Sequence, residues 1–473
     1  MENTRVALRE SLRQVLDQRD QTNVWLNGLA GVGKTSIAFT VAEEMKAAER
    51  LAATFFFSHK HAQSGAAIIP TIAYQLALVY PRIRQDILKA IVDDQMLLSA
   101  GKSRNDQIQK LVIMPLSVLR FRQETPYAII IDALDECLSA EEATRLVTLL
   151  TKALSGPDLP IIHLIFTSRP ELNIRIIAME AGLHEIPLTT NDTDTIQDVR
   201  FFLRASLDKI RTSRPTVFGQ PPKPWPSDGE FRTLAFKAGG LFVYAAMAMN
   251  FLSATGYHPQ QRLDLLVREK STVSADIDQL YRQIIATTEN PSLYCQMLAF
   301  IIHLYYPLRL AKLQELFHAN NEDLAVMLEV FSPVILNPPD GIGTIEIYHA
   351  SLRDFMMDPL RSKQYYVDSA HAHEHLASCC FDLLIRRRCW SRPSFDDTAS
   401  YAFDQWSNHL RVAYPSSRLR NLLHTIFAEH QFLFPTHALD DALCTCLSKW
   451  FRTWSDIALS WHIAEASMTR TTT

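Results

Sequence analysis

The stretch Gly28-Leu-Ala-Gly-Val-Gly33-Lys34-Thr35 decides how the whole sequence is interpreted, because it fits the pattern G-x-x-x-x-G-K-[ST] without mismatch. It follows a short apolar run, Asn23 to Leu26, and precedes a helical pattern from Lys34 to Arg50. Glycines allow backbone N–H groups to turn inward around a phosphate, and a helix start directs partial positive charge at the same anion. A chance glycine-rich turn is the alternative, but the flanking strand and helix favour a phosphate-binding loop.

Two side chains of this loop are expected to have distinct tasks. Lys34 is placed to reach the β- and γ-phosphates of a nucleotide, and Thr35 to offer its hydroxyl to Mg²⁺. The other loop positions are expected to contact the phosphates: Gly28, Ala30, Gly31, Val32, Gly33 and Ser36.

An acidic cluster, Asp132-Ala-Leu-Asp135-Glu136, follows a second apolar run. A carboxylate at the C-terminal end of a parallel strand lies where ligands gather. We therefore expect Asp132 to hold Mg²⁺ through water, and either Asp135 or Glu136 to orient and activate the attacking water. The alternative for Asp135 and Glu136 is that they only stabilise the N-terminus of the next helix, where negative charge is favourable.

A third apolar run ends in polar residues, Leu164-Ile-Phe-Thr167-Ser168-Arg169. The planar guanidinium group of Arg169 matches phosphate oxygens, so we expect it to sense the γ-phosphate and assist catalysis. Pairing of Arg169 with a nearby carboxylate is an equally open alternative.

The pattern of apolar runs predicts the fold class. Continuous rather than alternating apolar runs at 51–58, 126–134 and 159–167, separated by helical patterns, indicate a mostly parallel, doubly wound α/β sheet over about 20–190. We expect residues 51–58 to form a fully buried strand and a helix to begin at Pro70. After residue 190 the sequence is helix-rich, apart from a hairpin pattern at 334–348 that is typical of a winged helix.

Five domains or segments are predicted on this basis. They are an N-terminal helix and linker (1–22), the nucleotide-binding domain (23–190), a helical domain with a proline-rich loop at 213–228 (191–270), a winged-helix-like domain (271–365) and a C-terminal helical region (366–473).

Composition narrows the class of protein. The 473 residues include 47 Lys and Arg against 51 Asp and Glu, so no global positive field favours nucleic acid or an anionic membrane. The most apolar stretches are too short or too polar to predict a membrane span. Seven cysteines without a secretory signal predict a reducing, cytoplasmic location rather than a disulfide framework.

The chain resembles the NACHT-domain proteins, which belong to the STAND class of P-loop NTPases and include the NOD-like receptors, and it is most similar to their fungal members. The resemblance covers roughly residues 3–410 and rests on a set of sequence motifs. These are WLNGLAGVGKTSIA, TFFFSHK, IIPTIAYQLA, IIIDALDEC, IFTSRPE, AGGLFVYAAMAMNFL, LYRQIIA and YHASLRDFMMDP.

The resemblance implies a signalling switch that binds ATP or ADP with Mg²⁺, hydrolyses ATP slowly and forms homo-oligomers after nucleotide exchange. It implies signalling like that of fungal innate immunity or heterokaryon incompatibility, with effector and sensor partners that the sequence does not identify. It also implies that His349, in Tyr348-His349-Ala-Ser-Leu, contacts the ADP β-phosphate and that Arg169 is a sensor. In these terms the chain resembles the switch core alone, without an N-terminal effector or a repeat sensor.

Two positions depart from related proteins. Gly240-Leu241-Phe242 carries Phe where related plant and apoptotic NTPases have Pro, and His59-Lys60 replaces a common Arg.

Two other functions remain open. One is an ATPase whose turnover is its purpose, such as a remodelling or chaperone-like motor. The other is an interaction scaffold with a vestigial nucleotide site.

Overall fold

The computed structural model describes residues 4–58, 64–99, 101–119, 125–137, 139–218, 224–254, 256–268, 276–288, 290–318, 321–338, 342–387, 398–414, 416–419 and 421–422. The chain divides into two compact units, residues 1–249 with 267–276, and residues 250–266 with 277–473. The predicted five-part division of the chain stays a prediction.

The first unit is built on a parallel sheet whose described strands are ordered β2-β3-β4-β1-β5. The strands are β1 (Val24–Gly28), β2 (Leu51–Phe56), β3 (Tyr127–Asp132), β4 (Ile162–Ser168) and β5 (His184–Leu188). Its helices are α1 (Val6–Leu16), α2 (Lys34–Ala47), α3 (Ser64–Val79), α4 (Arg84–Asp93), α5 (Arg104–Ile108), α6 (Met114–Ser117), α7 (Ala140–Leu154), α8 (Leu172–Glu180), α9 (Thr193–Ser213), α10 (Pro215–Phe218) and α11 (Asp228–Ala238). Helix α12 (Phe242–Ser253) spans the boundary between the units. The predicted P-loop α/β fold class is confirmed.

The order of the strands places the functional segments side by side. Strand β4 lies between β3 and β1, with Ile130 opposite Ile165 and Trp25 opposite Phe166. All of these strands run in one direction, so the loops that follow β1, β3 and β4 leave the same edge of the sheet. That edge is therefore where the loop after Gly28, the acidic cluster after β3 and Arg169 after β4 can meet.

The expectation of a fully buried strand at 51–58 is wrong. Strand β2 is at the edge of the sheet and ends at Phe56, whose surface is 37% exposed. The side-chain amide of Gln75 forms two hydrogen bonds with the backbone of β2 at Thr54. Thr54 N donates to Gln75 Oε1 (2.9 Å), and Gln75 Nε2 donates to Thr54 O (2.8 Å). A run of apolar residues does not distinguish an edge strand from a central one.

The expectation of a helix beginning at Pro70 is also wrong, because α3 begins at Ser64 and contains Pro70 in its interior. Proline there removes one backbone hydrogen bond. The helix buries Ile68, Ile69 and Ile72 in the core of the sheet, and this packing offsets the local cost.

The described part of the proline-rich loop contains the short helix α10, in which Pro215 occupies the first position. Proline is tolerated there because that residue's N–H has no partner within a helix. Residues 219–223 of this loop lie outside the described residues.

The second unit is mostly helical. Its elements are α13 (Pro259–Arg268), which ends in the first unit, α14 (Ile277–Ala286), α15 (Pro291–Ile302), α16 (Leu310–Phe317), α17 (Asn321–Val330), β6 (Ile335–Leu336), β7 (Glu346–Ile347), α18 (Ala350–Met357), α19 (Pro359–Ser362), α20 (Ser369–Arg387) and α21 (Thr398–Val412). The antiparallel pairing of Ile335 with Ile347 confirms the predicted hairpin. The classification as a winged helix stays a prediction.

Candidate nucleotide site

The loop between β1 and α2 has the backbone that a phosphate-binding loop needs. Gly31 and Gly33 have φ values of +84° and +98°, in the left-handed region that favours glycine. A Cβ on Gly31 would lie 2.1 Å from Val243 Cγ1, so the loop is also packed closely against the start of α12. Gly33 is the N-cap of α2 and has no side chain to bond the first-turn N–H groups. Those N–H groups can therefore bind an anion.

Lys34 lies within a group of charged side chains at this edge of the sheet. Its Nζ donates to the carbonyl oxygens of Gly28 (2.7 Å) and Leu29 (3.0 Å), which folds the side chain over the loop. Burial lowers the pKa of the Lys34 ammonium group, and the charges of four nearby side chains also shift this pKa. They are Asp135, Arg169, Asp132 and Glu136. The fold thus brings together every charged residue that the three strand-end segments were predicted to contribute.

Asp132 and Thr35 approach each other closely enough to share a hydrogen bond. Asp132 is buried, and burial raises the pKa of its carboxyl group. Hydrogen bonds from Thr167 and Thr35 and the charge of Lys34 act in the opposite direction. A hydroxyl and a carboxylate are the hard oxygen ligands that Mg²⁺ prefers, so this pair fits the predicted metal site. Bound Mg²⁺ would neutralise charge on the phosphate oxygens.

Thr167 was not assigned a role from the sequence, although it is a polar residue at a strand end. Its Oγ1 donates to Asp132 Oδ1 and accepts a hydrogen bond from Ala133 N (3.0 Å). Ala133 has a left-handed backbone, with φ 56° and ψ 49°, which is strained for a residue other than glycine. Thr167 therefore fixes both the carboxylate of Asp132 and the turn that leads to Asp135 and Glu136.

Replacing Thr167 by Val should lower the free energy of unfolding by about 1–3 kcal/mol, because the buried Asp132 oxygen and Ala133 N–H lose their partner. Urea denaturation of the purified protein measures this change. Thr167→Ser keeps the hydroxyl and is the matched control. Equal stability of the Val and Ser variants would show that this hydroxyl contributes nothing.

Arg169 pairs with Asp135, as the alternative interpretation of Arg169 proposed. Its Nε lies 3.1 Å from Asp135 Oδ2, and its backbone N donates to Asp135 Oδ1 (3.1 Å). The Asp135 side chain is only 7% exposed, while that of Arg169 is 27% exposed. Both residues nevertheless lie close enough to Lys34 to influence its pKa. The pairing is therefore compatible with a phosphate-directed role for Arg169.

A cavity of about 180 Å³ opens directly beside the phosphate loop. Phe242 and Phe202 line it, with ring centroids 6.3 Å apart, together with Arg5 and Gly33. The Arg5 guanidinium carbon lies 5.7 Å from the centre of the Phe242 ring, and Nη2 donates to the loop carbonyl of Val32 (3.0 Å). Nothing in the sequence signalled Arg5, which lies at the start of α1 and contacts both the phosphate loop and Thr195 on α9.

His349 belongs to the second unit, where it is the N-cap of α18 and its Nδ1 accepts from Ser351 N (3.1 Å). Its predicted contact with nucleotide stays a prediction. His59 and Lys60 lie outside the described residues. Among the described residues, no cluster of three or more His, Cys, Asp or Glu side chains is arranged to hold a metal.

A known protein family matches the N-terminal part of the chain. Residues 5–169 match the family described as nephrocystin 3, N-terminal, and this range contains the phosphate loop, the acidic cluster and Arg169. A comparison with curated proteins yielded no match. Across the described residues, each helix is too short or too polar to cross a bilayer.

Several solved structures show a remote likeness. A Walker-type ATPase of Pyrococcus abyssi is 14% identical, with a TM-score of 0.37, over 73% of this chain and 93% of that one. The Cdc6p protein of Pyrobaculum aerophilum is 13% identical, with a TM-score of 0.33, over 72% and 87%. The Drosophila ORC bound to DNA is 13% identical, with a TM-score of 0.36, over 72% and 91%. Likeness at this level carries no information about ligand or activity.

Proposed function

We propose that the chain is a nucleotide-dependent signalling switch that binds ATP or ADP with Mg²⁺, hydrolyses ATP slowly and assembles into homo-oligomers after exchange of ADP for ATP. The observation that carries the nucleotide part is the convergence of Lys34, Asp132 and Arg169 around one small site. Three strand ends thus supply a cation for phosphate, an acid for Mg²⁺ and a guanidinium group. Slow hydrolysis, exchange-driven assembly and immunity-like or incompatibility-like signalling rest on the resemblance to NACHT proteins.

The cavity beside the loop is proposed to receive the nucleoside. It adjoins Gly33, so a nucleotide bound through its phosphates can extend into it. Phe242 and Phe202 meet edge to face and offer apolar ring surface for contact with a base, and Phe242 stands where related proteins have Pro. Such contact is tolerant of base identity, so the choice of ATP over GTP rests on the resemblance. The identity of the nucleotide that co-purifies with the protein tests this choice.

His349 is proposed to contact the ADP β-phosphate and so to favour the unassembled form. As the N-cap of α18 it also stabilises a helix. Replacement by Asn keeps an oxygen that can cap the helix but removes the imidazole. This variant therefore separates the proposed nucleotide contact from a local effect on stability.

The assembly of the purified protein on size exclusion with ADP, and then with ATP and Mg²⁺, tests the switch. We expect ATP to move the wild type to a larger species, and His349→Asn to release ADP several-fold faster and to assemble more readily. His371→Asn, at an exposed position on α20, is the matched control. An elution volume that does not change under either nucleotide would contradict the switch, and unchanged ADP release in His349→Asn would remove His349 from the site.

A further inference from the structure

The pair formed by Asp135 and Arg169 joins two of the three segments that make up the site. Asp135 lies in the turn after β3, and Arg169 directly follows β4. One Asp135 oxygen accepts a hydrogen bond from the backbone N–H of Arg169, and the other forms an ion pair with Arg169 Nε at 3.1 Å. This two-point contact holds the Arg169 backbone in place and restrains the direction of its guanidinium group.

The contact leaves Asp135 poorly placed to act on water. Its side chain is 7% exposed, and both oxygens are directed at Arg169. A general base must reach the proton that it removes and must have an oxygen available for it. Glu136, the neighbouring carboxylate, also lies close enough to Lys34 to raise the pKa of its ammonium group.

The order of the strands shows what the fixed guanidinium group can reach. Strand β4 separates β3, which ends in Asp132, from β1, which leads into the phosphate loop. Arg169 therefore leaves the sheet between the metal-binding acid and the lysine. A guanidinium group is a planar fork of N–H donors whose shape matches phosphate oxygens. Held at this place, it is directed towards the position that the terminal phosphate of a nucleotide would take, next to the predicted metal site.

We propose that Asp135 is a positioning residue, rather than the base, and that it presents Arg169 to the terminal phosphate of a bound nucleoside triphosphate. The inference rests on the proposed nucleotide-binding function and decides between the two tasks that the sequence left open for Asp135. It implies that Asp135 makes the site discriminate a triphosphate from a diphosphate. Asp135 does so only through Arg169.

A double-mutant cycle tests this dependence. The variants are Asp135→Asn, Arg169→Ala and the double variant, and calorimetry measures the affinity of each for a non-hydrolysable ATP analogue and for ADP, with Mg²⁺ present. Asp135→Asn should weaken binding of the triphosphate analogue about 10-fold and that of ADP less than 2-fold. In the Arg169→Ala background the same change should alter neither affinity by more than 2-fold.

Two further variants serve as controls for charge. Asp135→Glu retains the negative charge and should recover part of the preference for the triphosphate, and Asp93→Asn, at an exposed position on α4, controls for the loss of one carboxylate. Equal weakening of ADP and the analogue in Asp135→Asn would indicate a merely structural role and overturn the proposal. Unchanged affinities with abolished hydrolysis, in both Arg169 backgrounds, would make Asp135 the base and also overturn it. Absence of nucleotide binding by the wild type would instead refute the proposed function, and the inference with it.

Discussion

Replacing Lys34 by Ala is expected to lower the affinity for ADP and for ATP about 100-fold. A hydrogen bond between a charged donor and a charged acceptor contributes roughly 1.5–3 kcal/mol, and each 1.4 kcal/mol corresponds to a factor of ten in affinity. Lys34 is the cation of the phosphate loop itself, and its Nζ is already held over the loop by two carbonyl oxygens. Little entropy is therefore lost when it binds phosphate.

The environment of Lys34 makes this effect larger than that of an exposed lysine. Burial lowers the pKa of its ammonium group, and the charge of Arg169 acts in the same direction. Asp135, Asp132 and Glu136 oppose them. A nucleotide phosphate adds further negative charge beside this cation, in surroundings where electrostatic interactions are less screened than in water.

Calorimetric titration of the Lys34→Ala variant with ADP and with ATP in the presence of Mg²⁺ measures the loss. Lys46→Ala is the matched control, because Lys46 lies near the other end of the same helix and is exposed. The control should bind as the wild type does. Wild-type affinity in Lys34→Ala would refute a nucleotide site at this loop, whatever else the chain binds.

The sequence predicted the sheet well because its strands are set by local features. Each predicted strand lies within a few residues of an observed one, and the loop after β1 has the predicted glycine backbone. Continuous apolar runs indicate strands covered on both faces, and this holds for β3 and β4, which lie inside the sheet. It fails for Phe56, because an edge position is a property of the strand order.

The sequence indicated which charged residues the fold brings together, and it left open whether Arg169 pairs with a carboxylate, but it did not name that partner. The acidic cluster and Arg169 were recognised because each follows an apolar run. The contacts of Thr167 with Asp132, and of Asp135 with Arg169, join residues more than 30 positions apart and depend on β3 lying next to β4. Arg5 is harder still, since its contacts with Val32 and Thr195 require three separate segments to pack together.

Replacing Glu136 by Gln is expected to lower the rate of ATP hydrolysis roughly 10²–10⁴-fold, the usual contribution of a general base. Glutamine has nearly the same shape but cannot accept a proton at neutral pH. Of the two candidate acids, Asp135 is engaged by Arg169, so Glu136 is the one proposed to activate water. Nucleotide affinity should change little, because the lysine, the metal ligands and Arg169 are all retained.

The rate of ATP hydrolysis by the wild-type protein distinguishes a switch from a motor. A switch turns over slowly, and Glu136→Gln should then hold ATP and remain assembled on size exclusion. Rapid multiple turnover by the wild type, abolished in Glu136→Gln, would instead favour the remodelling ATPase. The measurement is the rate of phosphate release from ATP by the wild type and by Glu136→Gln. Glu141→Gln, at an exposed position on α7, is the matched control. Hydrolysis at the wild-type rate in Glu136→Gln would require another group to activate water, and the assignment of the base would fail even if nucleotide binding held.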